Sequence, residues 1–310
     1  MAPLFLRETD VEELLPAGDA VEAIEECFAR IARGAVENQP RSRLGLTEGR
    51  LNVMAAADLE LGVAGLKTYA SFDDGTRFVV LLFAADRPEL LAIIEADRLG
   101  QRRTGAASAV AARHLARPNA TTLGVIGCGW QAESQVESIR AALPQIERVV
   151  AYCRNDARRA DFCTRFGAEE AEWYRDAAEQ EIVVTATDSR DPVLRGEWLT
   201  PGALVCAVGA NRIKARELDN AVLERASFVC CDSREQARIE AGDLVEPVER
   251  GVLDWLEVHE LHEVVSGELP GRQSDDDIAL FKSLGIAAED LAVGKLVLDR
   301  ARERGLGVEV

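Results

Sequence analysis

Residues 123–132 read Leu-Gly-Val-Ile-Gly-Cys-Gly-Trp-Gln-Ala, an apolar run followed by the spacing G-x-G-x-x-A. This spacing is typical of a β-strand that turns directly into a helix. Gly127 would allow the tight turn, Gly129 would let the backbone approach a pyrophosphate, and Ala132 would let the helix pack closely on the strand. The N–H groups at the start of the helix would then face the phosphates. The stretch therefore predicts a Rossmann dinucleotide-binding unit.

The chain after this motif alternates between apolar runs and segments that are compatible with helices. The runs that we predict as strands cover residues 123–127, 149–153, 182–187, 204–208 and 228–231. Strands that alternate with helices indicate βαβ units and a parallel sheet. Because the motif heads such a series, a glycine-rich turn in an unrelated α/β domain is the poorer explanation.

The chain before Pro118 has a different pattern. Its predicted elements are helices over residues 19–33 and 103–116 and strands over residues 78–83 and 90–94. We therefore predict an α/β protein whose Rossmann domain begins near Pro118. Near the other end, residues 291–301 predict a helix, and the residues after it are expected to be loose.

Composition narrows the class of protein. The 310 residues carry a formal net charge of −18, which disfavours nucleic acid and anionic membrane surfaces as partners. No apolar run approaches the ~18 residues of a membrane helix, and the first residues lack a signal-peptide pattern, so we expect a cytoplasmic protein. The seven cysteines include no Cys-x-x-Cys pair, and His259 and His262 have no zinc signature around them. We therefore expect neither a disulfide framework nor a metal site.

The second predicted strand ends at a position that distinguishes two cofactors. NAD-specific Rossmann units usually carry Asp or Glu there, to bind the ribose 2′-hydroxyl. This chain has Arg154 at the strand tip, with Arg158 and Arg159 one turn further on. Cations suit the 2′-phosphate of NADP, although solvated arginines at the start of a helix would give the same pattern. We predict NADP, with NAD as the alternative.

Eight separated stretches carry a resemblance to a known family. They are Pro40-Arg41, 65–67, 103–108, 127–132, 185–187, 207–211, 216–219 and 281–285. In their letters, order and separations they resemble the ornithine cyclodeaminase/μ-crystallin family over essentially the whole chain. Members include ornithine and lysine cyclodeaminases, an archaeal-type alanine dehydrogenase and ketimine reductases. The resemblance implies a homodimer with a Rossmann domain and a second domain that carries the subunit contact.

The resemblance also implies how the chain is divided and where substrate binds. The C-terminal helix would return to the first domain, giving a smaller α+β substrate-binding and dimerisation domain at residues 1–117 and 289–310 and a Rossmann domain at 118–288. Lys67 and Arg103 fall on cations that would bind the α-carboxylate of an amino or imino acid. The family's third cation follows a proline, so that Arg41 is preferred and Arg43 is an alternative. Lys67 would also transfer a proton, because neighbouring cations lower a lysine pKa.

The cofactor contacts implied by the resemblance lie around the glycine motif and the later strand ends. They are Thr104, Gly127, Gly129, Gln131, Ala132, Arg154, Thr185, Ala186, Thr187, Val208 and Gly209.

Asn211 departs from the pattern of ornithine cyclodeaminases, which have an aspartate at this position. An amide cannot accept a proton at a useful pH, whereas a carboxylate can. Cyclodeamination depends on acid–base help, while reduction of an imine needs one hydride and one proton. We therefore expect an NAD(P)H-dependent imine reductase or amino-acid dehydrogenase acting on a small α-imino or α-keto acid. The alternatives are a cyclodeaminase that recycles bound NAD and a non-catalytic protein that binds the dinucleotide.

Overall fold

The computed structural model describes residues 2–310 and divides them into two compact units. The first unit contains the residues up to Arg103 together with Gly285–Val310, and the second contains Thr104–Leu284. Both divides lie earlier in the chain than the predicted boundaries before Pro118 and residue 289. The first divide falls inside a single helix. A prediction based on where the sequence pattern changes cannot place a boundary within a helix.

The first part of the chain contains helices and a mostly antiparallel sheet, in which the pair of the first and the sixth strand is parallel. Its elements are β1 (Leu4–Leu6), α1 (Glu8–Leu14), α2 (Ala17–Ala32), β2 (Val36–Gly45), β3 (Gly49–Asp58), β4 (Val63–Phe72), β5 (Gly75–Ala84), β6 (Leu90–Glu95) and α3 (Asp97–Leu115). The predicted helix at 103–116 therefore begins earlier, at Asp97. The reason is a distant cap: the Glu8 carboxylate accepts hydrogen bonds from the N–H groups of Asp97 and Arg98, at 2.6 and 2.8 Å.

The second unit contains a sheet in which all strand pairs are parallel. Its elements are β7 (Thr122–Ile126), α4 (Trp130–Ala142), β8 (Arg148–Tyr152), α5 (Asp156–Phe166), β9 (Glu169–Glu170), α6 (Tyr174–Ala178), β10 (Ile182–Thr185), a 3₁₀ turn (Gly196–Trp198), β11 (Leu204–Ala207), α7 (Asn220–Arg225), β12 (Ala226–Cys231), α8 (Arg234–Glu240), α9 (Gly242–Glu249), β13 (Val258–Glu260), α10 (Leu261–Val265) and β14 (Ile278–Lys282). The five predicted strands and the Rossmann-like α/β fold are confirmed.

The strand order of this sheet marks where a ligand can bind. The order is β13-β12-β14-β11-β10-β7-β8-β9, so the chain runs outward from β7 through β8 and then continues on the opposite side of β7 with β10. In such sheets, ligands bind outside the carboxyl ends of the strands at the point of reversal. That point lies between β7 and β10.

The C-terminal residues return to the first unit as α11 (Ala287–Arg304) and β15 (Val308–Glu309). The sheet order there is β15-β1-β6-β5-β4-β3-β2, and α11 packs on β2 to β5. The expectation that the last residues are loose was wrong. Phe5 pairs with Val308 because the edge of β1 offers backbone groups that an added strand can bind.

Candidate active site

Three neighbouring strands of the first unit bring a lysine and an arginine together. Met54 on β3 pairs with Lys67 on β4, and the register of β2 shifts between Gln39 and Ser42, opposite Met54. Pro40 lies in this bulge, which suits a residue that has no N–H for the ladder. Arg41, also in the bulge, donates from Nε to the Met54 sulfur at 3.4 Å. Both cationic side chains are almost fully buried.

The counter-ions come from the first turn of α11. Nζ of Lys67 lies 2.8 Å from Oδ1 of Asp290, and Nε of Arg103 donates to the same oxygen at 3.1 Å. Nη1 of Arg103 donates to Oε2 of Glu289 at 2.9 Å. Both carboxylates are inaccessible to solvent. Sequence reasoning missed these two acids. The only signal in the sequence was that two acidic residues are adjacent at the start of a helix. That signal is weak, because the chain has many exposed acidic residues elsewhere.

Two glycines leave room for these cations. A Cβ atom on Gly285, whose φ is +74°, would lie 2.2 Å from Nη1 of Arg103. The carbonyl oxygen of the same residue accepts from Nη2 of Arg41 at 3.2 Å. A Cβ atom on Gly100 would lie 2.6 Å from Nζ of Lys67. Larger residues at either position would displace the charged groups.

Three buried cations, Arg41, Lys67 and Arg103, form a basic cluster, in which Lys67 and Arg103 pair with the two acids of α11. Buried guanidinium and ammonium groups gathered in this way are suited to binding the carboxylate of a ligand. Burial, together with the nearby Arg103 and Arg41, lowers the pKa of Lys67 to about 8, although Asp290 acts to raise it. A lysine with this pKa can give up or take up a proton near neutral pH.

The two candidate arginines near Pro40 have different surroundings. The contacts to Met54 and Gly285 belong to Arg41. Arg43 lies further along β2, opposite Asn52, and is half-buried. These positions favour Arg41 as the third cation of the cluster.

The glycine motif of the second unit forms a strand–turn–helix. Gly127 has φ of +107°, and its N–H donates to the Tyr152 carbonyl at 2.8 Å. A Cβ atom on Gly127 would lie 2.4 Å from the Ala186 oxygen, whereas one on Gly129 would meet nothing within 4 Å. Gly129 precedes the first residue of α4, so its open face lies beside the free N–H groups of the helix. The residues present therefore fit a dinucleotide pyrophosphate.

The other predicted contacts around this turn lie on α3 and α4. Ala132 is buried in the first turn of α4, and Gln131 beside it is half-buried. Helix α3 approaches α4 closely at Gly105, where a Cβ atom would lie 2.3 Å from the Ser134 carbonyl oxygen. Thr104 is buried and immediately precedes this contact in the chain.

The arginines after β8 differ in their contacts. Arg159 bonds to Glu170 at 3.1 Å and to Asp156 at 3.0 Å. Arg154 and Arg158 are exposed, and the N–H of Arg158 donates to the Asn155 side chain that caps α5. The Arg154 side chain is therefore exposed to solvent just beyond the end of β8.

The remaining predicted residues gather at the ends of β10 and β11. Thr185 is the buried last residue of β10, and Ala186 and Thr187 follow it. Val208 and Gly209 follow β11 in the same way, and these two strands are direct neighbours. Asn211 is half-buried two residues beyond Gly209.

The two histidines near the end of the second unit have contacts of their own. The His259 ring stacks on Phe228 with centroids 5.1 Å apart, and Nε2 of His262 lies 2.9 Å from Glu260. Within residues 2–310, we find no cluster of His, Cys, Asp or Glu that could hold a metal ion. No helix in that range is long and apolar enough to span a bilayer.

A Rossmann turn that fits a pyrophosphate, in the same chain as a buried basic cluster, is consistent with the class of this protein, an NAD(P)-dependent oxidoreductase that acts on imine or amino groups. The family model described as ornithine cyclodeaminase/mu-crystallin matches residues 1–305, and this chain belongs to that family. The resemblance predicted from the sequence is confirmed.

Known proteins similar to this chain include reductases and a dehydrogenase. Delta(1)-pyrroline-2-carboxylate reductase of Bacillus cereus is 38% identical over 241 residues, which cover 75% of this chain and 73% of that protein. The structure of the Thermococcus litoralis reductase of the same name, in complex with NADH and L-proline, has a TM-score of 0.94 at 29% identity and covers 99% of this chain and 100% of its own. An archaeal alanine dehydrogenase dimer with bound NAD has a TM-score of 0.93 at 33% identity, with coverages of 100% and 99%.

Proposed function

We propose that this protein reduces a small α-imino acid to the amino acid with NAD(P)H, and that it can oxidise the amino acid in the reverse direction. The observation that carries the proposal is the basic cluster, which places two buried arginines near a lysine of lowered pKa. A guanidinium binds both oxygens of a carboxylate, so Arg41 and Arg103 would hold the substrate. The bound L-proline of the Thermococcus reductase supports a substrate of this class.

Lys67 would supply the proton of the reaction. The reduced cofactor, held at Gly127, Gly129 and the ends of β10 and β11, supplies the hydride. Lys67 is protonated below its pKa of about 8 and can therefore protonate the nitrogen-bearing group or a water next to it. The Asn211 amide can donate or accept a hydrogen bond but cannot store a proton. Reduction of an imine requires no second proton-transfer group, whereas cyclodeamination does.

We further propose that NADPH binds more tightly than NADH. Arg154 is exposed just beyond β8, where an acid would favour NAD. The similar structures contain NADH or NAD, so this preference is a specific property proposed for this chain.

We also propose that the protein is a homodimer that associates through the sheet of the first unit. Gly65 faces α11, because a Cβ atom there would lie 3.0 Å from Leu291. The alternate residues face away from α11, and among them Ala55, Leu66 and Leu81 form one cross-strand row that is only half-buried. An apolar sheet face of this kind is typical of a subunit contact. The dimer of the similar alanine dehydrogenase supports this arrangement.

A cytoplasmic location completes the proposal. The seven cysteines are free, and six of them are buried. Thiols in this state suit a reducing compartment.

Absorbance of NADPH during incubation with a panel of substrates tests the proposed reaction. The panel contains Δ1-pyrroline-2-carboxylate, iminosuccinate, pyruvate with ammonia, and L-ornithine. We expect cofactor consumption with at least one imino acid, and loss of that consumption in K67M. Ammonia release from L-ornithine in a separate incubation with NAD+, without net formation of NADH, would identify a cyclodeaminase instead. Tight binding of NADPH with neither reaction would identify a binding protein.

A further inference from the structure

The carboxylate of Glu217 connects the ends of two neighbouring strands of the Rossmann sheet. Oε1 accepts hydrogen bonds from the N–H and the hydroxyl of Thr187, at 2.7 and 2.8 Å. Oε2 accepts from the N–H groups of Gly209 and Ala210, at 2.6 and 3.2 Å. Thr187 follows β10 and Gly209 follows β11, so that one side chain holds both loops.

All four contacts suit an ionised carboxylate. Each partner donates a hydrogen bond, and a protonated oxygen would lose part of its capacity to accept. Burial and the nearby Asp243 carboxylate raise the pKa of the Glu217 carboxyl, while Lys282 and the Thr187 donors offset part of that rise. The side chain is fully buried, so water does not replace any bond that is lost.

The surroundings fix Glu217 from the other side. Oδ1 of Asp243 accepts from the N–H groups of Glu217 and Leu218, at 2.7 and 3.0 Å. Oδ2 of Asp243 lies 3.0 Å from Nζ of Lys282, the last residue of β14. A Cβ atom on Gly209 would lie 2.6 Å from Oε1 of Glu217. The loop after β11 can therefore reach this carboxylate only with glycine at position 209.

The position of these loops assigns them to one half of the cofactor. The sheet reverses between β7 and β10, and a dinucleotide bound there places its two halves on opposite sides of the reversal. Arg154 follows β8 on the adenosine side, and Thr187 and Gly209 follow β10 and β11 on the other side. We propose that Glu217 is a positioning residue that holds these two loops in the conformation that binds the nicotinamide half. The inference rests on the proposed dinucleotide-dependent function.

The pair of variants E217Q and E181Q tests this role. Glutamine at 217 has one acceptor oxygen and an NH2 group, which would face backbone N–H groups at one of the two loops. Glu181 is the matched control, because its Oε2 accepts from the N–H groups of Thr121 and Thr122, at 2.7 and 3.1 Å, at the amino end of the sheet. Both variants lose carboxylate bonds to backbone, but only Glu217 contacts the cofactor loops.

The measurement is the Kd of NADH and of ADP-ribose, which lacks nicotinamide, by titration of protein fluorescence. E217Q should raise the Kd of NADH by about tenfold or more, the usual effect of losing a hydrogen bond to a charged group, and should leave the Kd of ADP-ribose nearly unchanged. E181Q should leave both values nearly unchanged while lowering Tm.

Equal weakening of both ligands in E217Q, or an unchanged Kd for NADH, would overturn the proposal. If E217Q does not fold, E217D replaces it, because a carboxylate one methylene shorter can bond one loop but not both. E217D should show the same selective loss of NADH binding. Failure of the unmodified protein to bind NADH or NADPH would instead contradict the proposed function itself.

Discussion

Nζ of Lys67 lies 2.8 Å from Oδ1 of Asp290, and that oxygen also accepts a hydrogen bond from Nε of Arg103. One buried oxygen therefore connects the proposed proton donor to a proposed carboxylate-binding arginine. Burial lowers the pKa of Lys67 to about 8, and the Asp290 carboxylate prevents a larger fall. Asp290 thus keeps Lys67 protonated at neutral pH, the state that imine reduction requires.

The variant D290N should lower the pKa of Lys67 further, by about 1–3 units, the usual effect of removing an opposite charge in contact. In the unmodified protein, kcat for reduction should fall as pH rises through about 8, because Lys67 loses its proton. In D290N the same fall should occur at lower pH. The measurement is kcat as a function of pH for the unmodified protein and for D290N.

E289Q is the control for D290N. Because Glu289 bonds to Arg103, its replacement should raise KM but leave the pH dependence of kcat nearly unchanged. Identical profiles in D290N and the unmodified protein would exclude this role of Asp290.

The variants R41M and R43M distinguish the two arginines after Pro40. Arg41 is buried against Met54 and Gly285, so R41M should raise KM for the imino acid by about 10- to 100-fold, the usual effect of one hydrogen bond to a charged group. R43M should change KM little, and neither variant should alter the Kd of the cofactor. The reverse ranking of the two KM values would assign the carboxylate to Arg43.

The Rossmann unit could be predicted from the sequence because its signals are local. The strand, Gly127, Gly129 and Ala132 lie within ten residues, and each has a separate physical reason to be there. The early start of α3 could not be predicted in this way. Its cap is Glu8, which is close to Asp97 only in the folded chain.

The counter-ions of the basic cluster were missed for a related reason. The local signal at Glu289 and Asp290, two adjacent acids at the start of a helix, is weak, because exposed adjacent acids such as Asp73 and Asp74 occur elsewhere in the chain. Their burial follows from the packing of α11 on the antiparallel sheet, which brings Asp290 to Lys67 across more than two hundred residues of sequence. Lys67 and Arg103 were predicted as site residues because of the family resemblance. The sequence around them does not distinguish them from charged residues on the surface.

The variant L66E tests the proposed dimer. Leu66 lies in the centre of the row with Ala55 and Leu81 on the face away from α11, where a carboxylate would have to be desolvated on association. We expect the unmodified protein to sediment as a dimer and L66E to sediment as a monomer. Because position 66 is half-buried in the isolated chain, L66E should keep its circular dichroism spectrum. A monomeric unmodified protein, or a dimeric L66E, would contradict this interface.

The variant R154D tests the proposed choice of cofactor. The unmodified protein should bind NADPH more tightly than NADH, and R154D should reverse the order, because a carboxylate repels the 2′-phosphate and can accept from the ribose hydroxyls. The change should be about 1–3 kcal/mol for NADPH, the usual range for a charge-assisted hydrogen bond. R195D, at another exposed arginine of the second unit, is the control and should preserve the order. An equal or tighter affinity of the unmodified protein for NADH would end the assignment of Arg154.

The last prediction concerns Asn211, half-buried beyond Gly209 at the end of β11, where ornithine cyclodeaminases have an aspartate. The native protein should release little ammonia from L-ornithine, because the Asn211 amide cannot take up the proton that cyclodeamination must move. N211D is nearly isosteric and should keep the fold. If position 211 is the only missing part, N211D should gain ammonia release that rises with pH as the new carboxylate ionises. Absence of that gain would mean that further residues of the site also differ, with imine reduction unaffected. Rapid proline formation from L-ornithine by the native protein would show that another group acts as the base, and the argument from Asn211 would then be wrong.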